Sequence, residues 1–357
     1  EPTGILKDTA IDLVDKVIPP PSEAELADGL KAAMAEANRH GLTCVDTMSS
    51  WRDIEAMRRA RDIHQLNLRI RAFVQEDDWR PYLDRAKSFP NDEWMRVVGF
   101  KQYADGSLGS RTAFMAAPFS DKADSRGLHR ECLEPNPSNG ELPLAVTART
   151  ASKSGLGLAT HAIGDQANHL VLNAYESSKV GLPTHPAILR VEHAQHLLPD
   201  DIKRFGTLGV VASMQPLHKA DDGRYAEKAI GPERCKTSYA FRSLLNAGAH
   251  VAFGSDWPVV SLDPFLGIHA AVTGETLDGK VFVPEQNLSV EEALKCYTSG
   301  AAYASGDDGV LGVIKVGVPA DFVVCEPDLL TVGPSGLSHI QVKSTYVAGR
   351  QVYSSTR

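Results

Sequence analysis

The sequence predicts an α/β chain organised as a TIM-like (β/α) barrel, followed by a small β-rich element at its C-terminal end. Two observations predict the barrel. Short apolar runs alternate with segments of helical periodicity, and four of these runs end in a side chain that can bind a metal or carry a proton. Parallel strands buried on both faces read as continuous apolar runs, and their carboxyl ends form the rim that carries functional side chains. The four segments are residues 95–101, 155–161, 188–193 and 250–256.

Length and composition agree with this architecture. The chain has 357 residues, which is enough for a barrel of roughly 250 residues and a smaller unit. Its hydrophobic content of 43% and charged content of 23% are typical of globular proteins. A net charge of −8 argues against a nucleic acid or an anionic membrane as partner. No run of residues is long and apolar enough to predict a membrane helix.

The cysteines indicate a reducing compartment. They are odd in number, scattered and never spaced as Cys-x-x-Cys, which favours neither a disulfide framework nor a thiolate zinc site. The default location for such a chain is the cytoplasm, although an upstream targeting segment would be invisible. The five are Cys44, Cys132, Cys235, Cys296 and Cys325.

The first half of the chain alternates between helix and strand signals. Ser22 and Glu25 form a capping-box pattern, which predicts a helix from there to about Asn38, ended by Gly41. Further strands are predicted at 42–46, 68–74 and from 95, with a helix at 53–66 between the first two. The polar, glycine-rich stretch 104–140 is predicted to be a long functional loop.

The second half continues the alternation. Helices are predicted at 141–154, 166–178, from 199 to 205, at 238–247 and at 289–299, with strands at 155–161, 188–193, 209–214 and 250–256. We expect the strand that starts near 209 to lead to His218. Beyond residue 305 the pattern changes to strands at 320–325 and 342–347, with a turn at Ala348 and Gly349.

Seven barrel strands can be counted, whereas a closed barrel of this kind needs eight. We therefore expect the first strand to be absent and the chain, which starts without a methionine, to be a fragment of a longer protein. The predicted division places the barrel in residues 1–304 and part of a small β-sandwich in residues 305–357. Unpaired strand edges next to the absent strand predict aggregation of the isolated chain.

Four ordered sequence blocks resemble those of amidohydrolase family 3, and more narrowly its YtcJ-like branch. That branch includes N-substituted formamide deformylases and plant homologues. The similarity extends over essentially the whole chain, including a closing GVPADF segment at 317–322. The blocks are KQYADGSLGSRTA at 101–113, HAIGD at 161–165, RVEHAQ at 190–195 and GSDWPV at 254–259.

The resemblance implies a metal-dependent hydrolase. In such enzymes a His-x-His, a carboxylated lysine, two further histidines and an aspartate hold one or two metal ions. The lysine matches Lys101, the histidines match His161 and His193, and the aspartate matches Asp256. The His-x-His has no counterpart, because none of the 12 histidines has this spacing. We therefore expect weak metal binding and little hydrolysis by this polypeptide, and an active longer parent.

These residue types suit the implied chemistry. A buried lysine is costly as a free ammonium, whereas its carbamate, formed with CO2, is an anionic oxygen ligand. Neutral imidazoles and carboxylates bind a divalent metal, with zinc favoured and manganese or iron left open. Asp256 is the expected proton carrier in a reaction in which a metal-activated hydroxide attacks an amide or formamide carbonyl. The predicted partner is a small amide-type substrate, and a homo-oligomer is left open.

Each assignment has a structural alternative. A histidine after an apolar run is often a hydrogen-bonded core residue, Lys101 can extend its amine to solvent from the strand end, and Asp256 can be a turn residue before proline. His218 is predicted either to contact substrate or to be a surface histidine. Asp105 and Arg111 lie in the long loop and either meet substrate or form an ion pair that orders it. The loss of His-x-His also motivates a second hypothesis, a non-catalytic scaffold or signalling protein.

Overall fold

Seven parallel strands form the main sheet of the computed structural model, which describes residues 4, 6, 10–179 and 187–355. The strands follow chain order, and each pairs in parallel with the next. All seven predicted barrel strands are confirmed. They are β1 (Cys44–Ser49), β2 (Arg69–Val74), β3 (Met95–Tyr103), β4 (Gly157–Ala162), β5 (Leu189–His193), β6 (Val211–Met214) and β7 (Val251–Phe253).

Helices occupy most connections between the strands, and their apolar faces pack on the sheet to form one large core. The predicted capping box is present at the start of α2, where Ser22 and Glu25 bond each other's backbone amides. The helices are α1 (Asp12–Asp15), α2 (Glu23–Arg39), α3 (Trp51–Asp62), α4 (Leu83–Lys87), α5 (Pro143–Lys153), α6 (Asp165–Ser178), α7 (Pro199–Leu208), α8 (Pro216–Asp222), α9 (Ala226–Ile230), α10 (Pro232–Cys235), α11 (Phe241–Asn246), α12 (Pro264–Thr273), α13 (Val290–Lys295) and α14 (Ala301–Ala304).

The sheet curls strongly, as a barrel wall does. In a flat sheet β1 and β5 would be about 19 Å apart, since neighbouring strands are spaced by about 4.8 Å. Instead, the Arg190 guanidinium of β5 donates to the Asp46 carboxylate of β1 and lies 4.8 Å from the centre of the Phe73 ring of β2. These inward-facing contacts close the concave side of the sheet.

β1 and β7 are the two edges of this sheet within the described residues. β1 is mostly half-buried, whereas every residue of β2 is buried. In a closed barrel, an eighth strand would lie between β1 and β7 and pair with both of them. Association of the chain through these edges stays a prediction.

A separate antiparallel sheet follows the barrel, with strands in the order β10 (Arg350–Ser354), β9 (Gln341–Val347) and β8 (Phe322–Glu326). The predicted turn at Ala348 and Gly349 is confirmed: both have positive φ, as a tight hairpin turn requires. The sequence prediction missed β10, which is short and largely polar. The Thr345 hydroxyl donates to the Asn38 carbonyl at 2.6 Å and fastens this sheet to α2.

Two aspartates beyond the barrel strands neutralise arginines on the strands. Asp307 accepts from Arg71 at 2.5 Å and from Arg96 at 2.7 Å, and Asp321 accepts from Arg69 at 2.6 Å. Of these five side chains, all except Arg96 are almost fully buried. The predicted boundary after residue 304 coincides with the end of α14, although segment 305–321 is bound to the barrel through these pairs.

Three predicted elements differ from the structure. The strand expected to lead to His218 ends at Met214, because Pro216 has no amide hydrogen to donate and begins α8 instead. The helix predicted at 238–247 is shorter, being α11 (Phe241–Asn246). The one predicted at 289–299 continues through a π-helical turn at Cys296–Gly300 into α14. The predicted domains include residues 1–3 and 356–357, which lie outside the described residues.

No helix in the described part of the chain combines the length and apolar character needed to cross a bilayer.

Replacing Asp307 with alanine tests the join between the two units. We expect Asp307→Ala to lower the free energy of unfolding by about 3–5 kcal/mol, because it leaves the Arg71 guanidinium buried without its carboxylate. Urea denaturation measures the change. Asp78→Ala is the control, since Asp78 pairs with Arg80 on the surface, and it should change stability by less than about 0.5 kcal/mol. Equal stabilities for the two variants would contradict this account.

Candidate metal centre

The carboxyl ends of β3, β4 and β5 bring three predicted site residues to one rim. Lys101 lies near the end of β3, His161 near the end of β4 and His193 at the end of β5. The register pairs Tyr103 with His161 and Ala162 with His193, so the side chains occupy neighbouring levels of the sheet. The parallel ladder therefore assembles the predicted group from residues 92 positions apart in sequence.

The histidines form a compact cluster beneath Asp256. The ring centres of His161 and His193 are 4.5 Å apart, and those of His193 and His218 are 5.9 Å apart. Within the described part of the chain, His193, His218 and Asp256 each offer a ligand atom, all within 4.8 Å of one another. His218 was predicted only to contact substrate or to be a surface histidine. The structure instead places it within the group of possible metal ligands.

Hydrogen bonds leave a free lone pair on both predicted histidine ligands. The Nε2 of His161 lies 2.9 Å from the carbonyl oxygen of Gly106, which can only accept, so Nε2 carries the hydrogen and Nδ1 the lone pair. The Nδ1 of His193 lies 2.9 Å from the Oε1 of Gln215 and donates to it, which leaves the lone pair on Nε2. Metal-binding histidines are held in this way by an oxygen acceptor on the nitrogen that does not bind.

Burial keeps these rings uncharged. It lowers the pKa of His161 to about 3, with the nearby Lys101 amine as a second cause, and it lowers that of His193 well below its ordinary value. A metal needs the neutral imidazole, so the histidines have the right protonation state at pH 7 without any competing proton.

His218 lies on α8, one turn past the end of β6, and is buried. Its Nδ1 is 3.3 Å from the amide nitrogen of Gln195, and its Nε2 has no hydrogen-bond partner among the described residues. That Nε2 is 3.9 Å from an Asp256 carboxylate oxygen. The alternative of a surface histidine is therefore wrong, and an unpaired buried nitrogen facing the cluster indicates a bound group there.

Lys101 is buried below the histidines. Desolvation lowers the pKa of its amine to about 8, despite the opposing attraction of Glu192 and Asp256. Its Nζ lies 4.9 Å from the centre of the Tyr103 ring, and among the described residues no carboxylate oxygen lies within 4.0 Å of it. With a pKa of about 8, this amine loses its proton far more readily near neutral pH than an exposed lysine does, and the uncharged form is the one that reacts with CO2.

Asp256 stands on the turn after β7 with a positive φ of 56°, a conformation that is rare outside glycine. Burial of its surroundings raises the pKa of this carboxyl to about 6, and Lys101 opposes the rise. Its side chain is 41% exposed, so it borders both the histidine cluster and the solvent-facing space above the strand ends, which is called the cleft below. His193 and Ala194 also have positive φ, which places strained backbone on both sides of the histidines.

The structure places Asp105 behind His161 and away from the cleft. Its buried carboxylate accepts backbone N–H bonds from Phe114, Ile163 and Gly164 at 2.8–3.0 Å. Burial raises the pKa of this carboxyl to about 7, against the effect of those three donors. The contacts join the loop after β3 to the loop after β4, so they favour an ordering role, and substrate contact by Asp105 stays a prediction.

Arg111 also orders the long loop. It pairs with Asp121 through two hydrogen bonds at 2.6 and 2.9 Å and donates to the Leu108 carbonyl at 2.6 Å. An ion pair therefore orders the loop, but it joins Arg111 to Asp121, whereas Asp105 is bound to backbone amides. Substrate contact by Arg111 stays a prediction.

Sequence reasoning missed the residues that support the ligands. Arg190 and Glu192 form a buried bidentate pair on the inner face of β5, and Gln215 and Gln195 contact the histidines. One signal was available: Arg190 and Glu192 are two positions apart in an apolar strand, which puts both charges on one face. No spacing pattern predicts the two glutamine contacts, because they connect different loops.

The residues present fit a divalent metal ion. Among the described residues, the ligand atoms of His193, His218 and Asp256 lie together, whereas His161 contacts the His193 ring and stands outside that group. Imidazole, carboxylate and a nearby buried lysine are ligand types that suit zinc and its neighbours. The fold is a curled (β/α) sheet of barrel type, and the side chains at its strand ends form a candidate metal centre.

The chain belongs to the amidohydrolase family, whose sequence profile matches residues 1–353. It is 35% identical over 370 residues to the Arabidopsis thaliana protein LONG AFTER FAR-RED 3 and 30% identical over 364 residues to the putative amidohydrolase YtcJ of Bacillus subtilis (strain 168). Both alignments cover 99% of this chain, which spans 62% and 66% of the two relatives. An N-substituted formamide deformylase of Arthrobacter pascens is 32% identical over 208 residues, covering 58% of this chain and 38% of that enzyme.

A solved structure supports the same fold. An uncharacterized metal-dependent hydrolase from Pyrococcus horikoshii OT3 superimposes with a TM-score of 0.80 at 29% identity, covering 94% of this chain and 67% of the other. The family and fold expected from the four sequence blocks are therefore confirmed.

Lys101→Met tests the electrostatic state of the buried amine. The folded-state pKa of Lys101 is below its unfolded value, so the penalty of burying the charge is full below pH 8 and disappears toward pH 10.5. In metal-free buffer purged of CO2, we expect Lys101→Met to raise the free energy of unfolding at pH 7 by an amount on the order of 2–3 kcal/mol. The gain should shrink as pH rises through this window.

Denaturant titrations at pH 7 and pH 10 measure this difference. Lys153→Met, at an exposed position in the last turn of α5, is the matched control and should change stability by less than about 0.5 kcal/mol at either pH. A Lys101→Met protein that is less stable than the parent at pH 7 would show that the amine is not penalised by burial.

Proposed function

We propose that this chain carries the active site of a metal-dependent hydrolase that cleaves non-peptide C–N bonds of amide or formamide type. One observation carries the proposal: the ligand atoms of His193, His218 and Asp256 lie within 4.8 Å of one another, beside the lone pair of His161 and the buried Lys101. His218 and Asp256 are close enough to attract each other, at 3.9 Å, but His161 and His193 are uncharged, and a shared metal ion would account for the position of the whole group.

The similar proteins support the reaction class. The deformylase of Arthrobacter pascens is named for N-substituted formamides, and YtcJ is described as a putative amidohydrolase. An amide or formamide carbonyl is a group that a metal-activated hydroxide would attack. The proposed substrate is a small molecule of this kind. The free cysteines of the described residues favour the cytoplasm as the location of the protein.

His161 and His193 would hold the metal through Nδ1 and Nε2 respectively, with Lys101 as a carbamate and Asp256 as oxygen donors. Zinc is favoured by this mixture of nitrogen and oxygen ligands. When bound, a divalent ion polarises a carbonyl and lowers the pKa of water.

The other steps belong to this chain's own side chains. Asp256, whose pKa is raised to about 6, can accept a proton from the attacking water and return it to the leaving amine near neutral pH. The unpaired Nε2 of His218, 3.9 Å from Asp256, is placed to contact the substrate carbonyl. The partly exposed Tyr103 ring lies 5.4 Å from the ring of His161, centre to centre, and is placed to contact an apolar part of the substrate.

The second candidate is a non-catalytic scaffold or signalling protein on an amidohydrolase barrel. The absence of any His-x-His among the 357 residues favours it, because half of one metal's usual ligands are then lacking. The same absence leads us to expect that this chain holds metal more weakly, and turns over substrate more slowly, than a longer form that contains the pair.

Zinc affinity and hydrolysis of a panel of N-substituted formamides, measured on the same preparations, test the proposal. We expect His161→Ala to weaken zinc binding by at least about tenfold and Asp256→Ala to lower zinc-dependent turnover by at least about 100-fold. The control is His169→Ala, since His169 pairs with Asp201 on the outer face of α6. Zinc affinity and turnover that are the same in all three variants would refute the assignment, and absence of zinc binding in the parent would favour the scaffold.

A further inference from the structure

We propose that Gln215 is a positioning residue that fixes the tautomer of His193, so that the lone pair of Nε2 faces the metal centre. The purpose of this arrangement rests on the proposed function, whereas the hydrogen bonds that carry the inference are formed by the chain's own side chains and backbone. Gln215 was not among the residues that sequence patterns indicated. It touches neither Asp256 nor the opening of the cleft in any hydrogen bond of the described residues.

The direction of each hydrogen bond follows from a backbone carbonyl. The Nε2 of Gln215 donates to the carbonyl oxygen of Ser213 at 3.3 Å, and a carbonyl oxygen can only accept. This contact orients the Gln215 amide so that Oε1, also only an acceptor, faces His193. The Nδ1 of His193, 2.9 Å away, must then carry the hydrogen. The remaining nitrogen, Nε2, has the lone pair.

The other tautomer is disfavoured by burial. With hydrogen on Nε2, the lone pair of Nδ1 would face the lone pairs of Oε1 at 2.9 Å, and neither atom would have a donor. Gln215 and His193 are both buried, so water cannot replace the lost bond. An unsatisfied buried polar group costs about 1–3 kcal/mol, which favours one tautomer by roughly 5- to 150-fold.

Gln215 is itself held in place by the chain. It is the last residue before Pro216, which restricts its backbone, and it is the N-cap position of α8 that follows directly on β6. His161 differs, because its acceptor is the backbone carbonyl of Gly106. Of the two predicted histidine ligands, only His193 therefore has a tautomer that depends on a side chain that can be replaced.

The direct test is the tautomer of His193 in the metal-free chain, read from nitrogen-15 chemical shifts of histidine-labelled protein. His193→Ala assigns the signals. In the parent we expect the shift of a protonated Nδ1 and an unprotonated Nε2. In Gln215→Leu the acceptor is lost, and we expect a mixed or reversed pattern. Unchanged shifts in Gln215→Leu would overturn the proposal, whether or not the chain binds zinc.

Zinc affinity is the second readout. We expect Gln215→Leu to weaken zinc binding about 10–100-fold, as loss of an acceptor behind a ligand histidine generally does. Gln215→Glu still accepts from Nδ1 and should recover most of that affinity, which a merely structural role would not predict.

Gln286→Leu is the matched control for removal of a buried glutamine. Gln286 is equally buried and bonds Ser243 at 2.9 Å. This variant should leave the His193 shifts and the zinc affinity unchanged. A loss of affinity as large as that of Gln215→Leu would show that general destabilisation is the cause and would overturn the proposal.

Discussion

The parallel hydrogen-bond ladder is the constraint on which the site depends. Because adjacent strands run in the same direction and in fixed register, residues far apart in sequence finish at one rim. The pairing of Ala162 with His193, and of Tyr103 with His161, sets the relative height of the side chains. The curl of the sheet then turns β7, and with it Asp256, toward the histidines. A shift of one residue in any ladder would direct a ligand to the opposite face.

The inner face of the sheet is unusually charged for a core. Arg190, Glu192 and Asp46 form a buried network, and Lys101 lies next to it. Each charge in such a network is tolerable only while its partners stay in place. This network lies directly below the histidines, and it therefore couples the integrity of the barrel wall to the electrostatic environment of the site. At the same place, Lys101 is buried without an ion-pair partner among the described residues, which lowers the stability of the fold. Active sites commonly contain such destabilising groups.

Much of this arrangement could be predicted from the sequence, and the reasons are local. Seven apolar runs indicated the strands, and Lys101, His161, His193 and Asp256 could be placed at their ends because a strand end is visible in sequence. His218 was harder, since Pro216 converts a presumed strand into α8 and buries the histidine. The contacts of Gln215 and Gln195 were not predictable, because they depend on how two loops from different strands face each other. Asp105 was misleading for a related reason: its partners are backbone amides, which leave no pattern in sequence.

The central claim is that these side chains form a metal centre, and zinc X-ray absorption spectroscopy of the zinc-loaded chain tests it most directly. The account predicts nitrogen and oxygen ligands at about 2.0–2.2 Å with the scattering signature of at least two imidazoles, and no sulfur ligand. A shell with a Zn–S distance of about 2.3 Å, or one of water oxygens without imidazole, would contradict it.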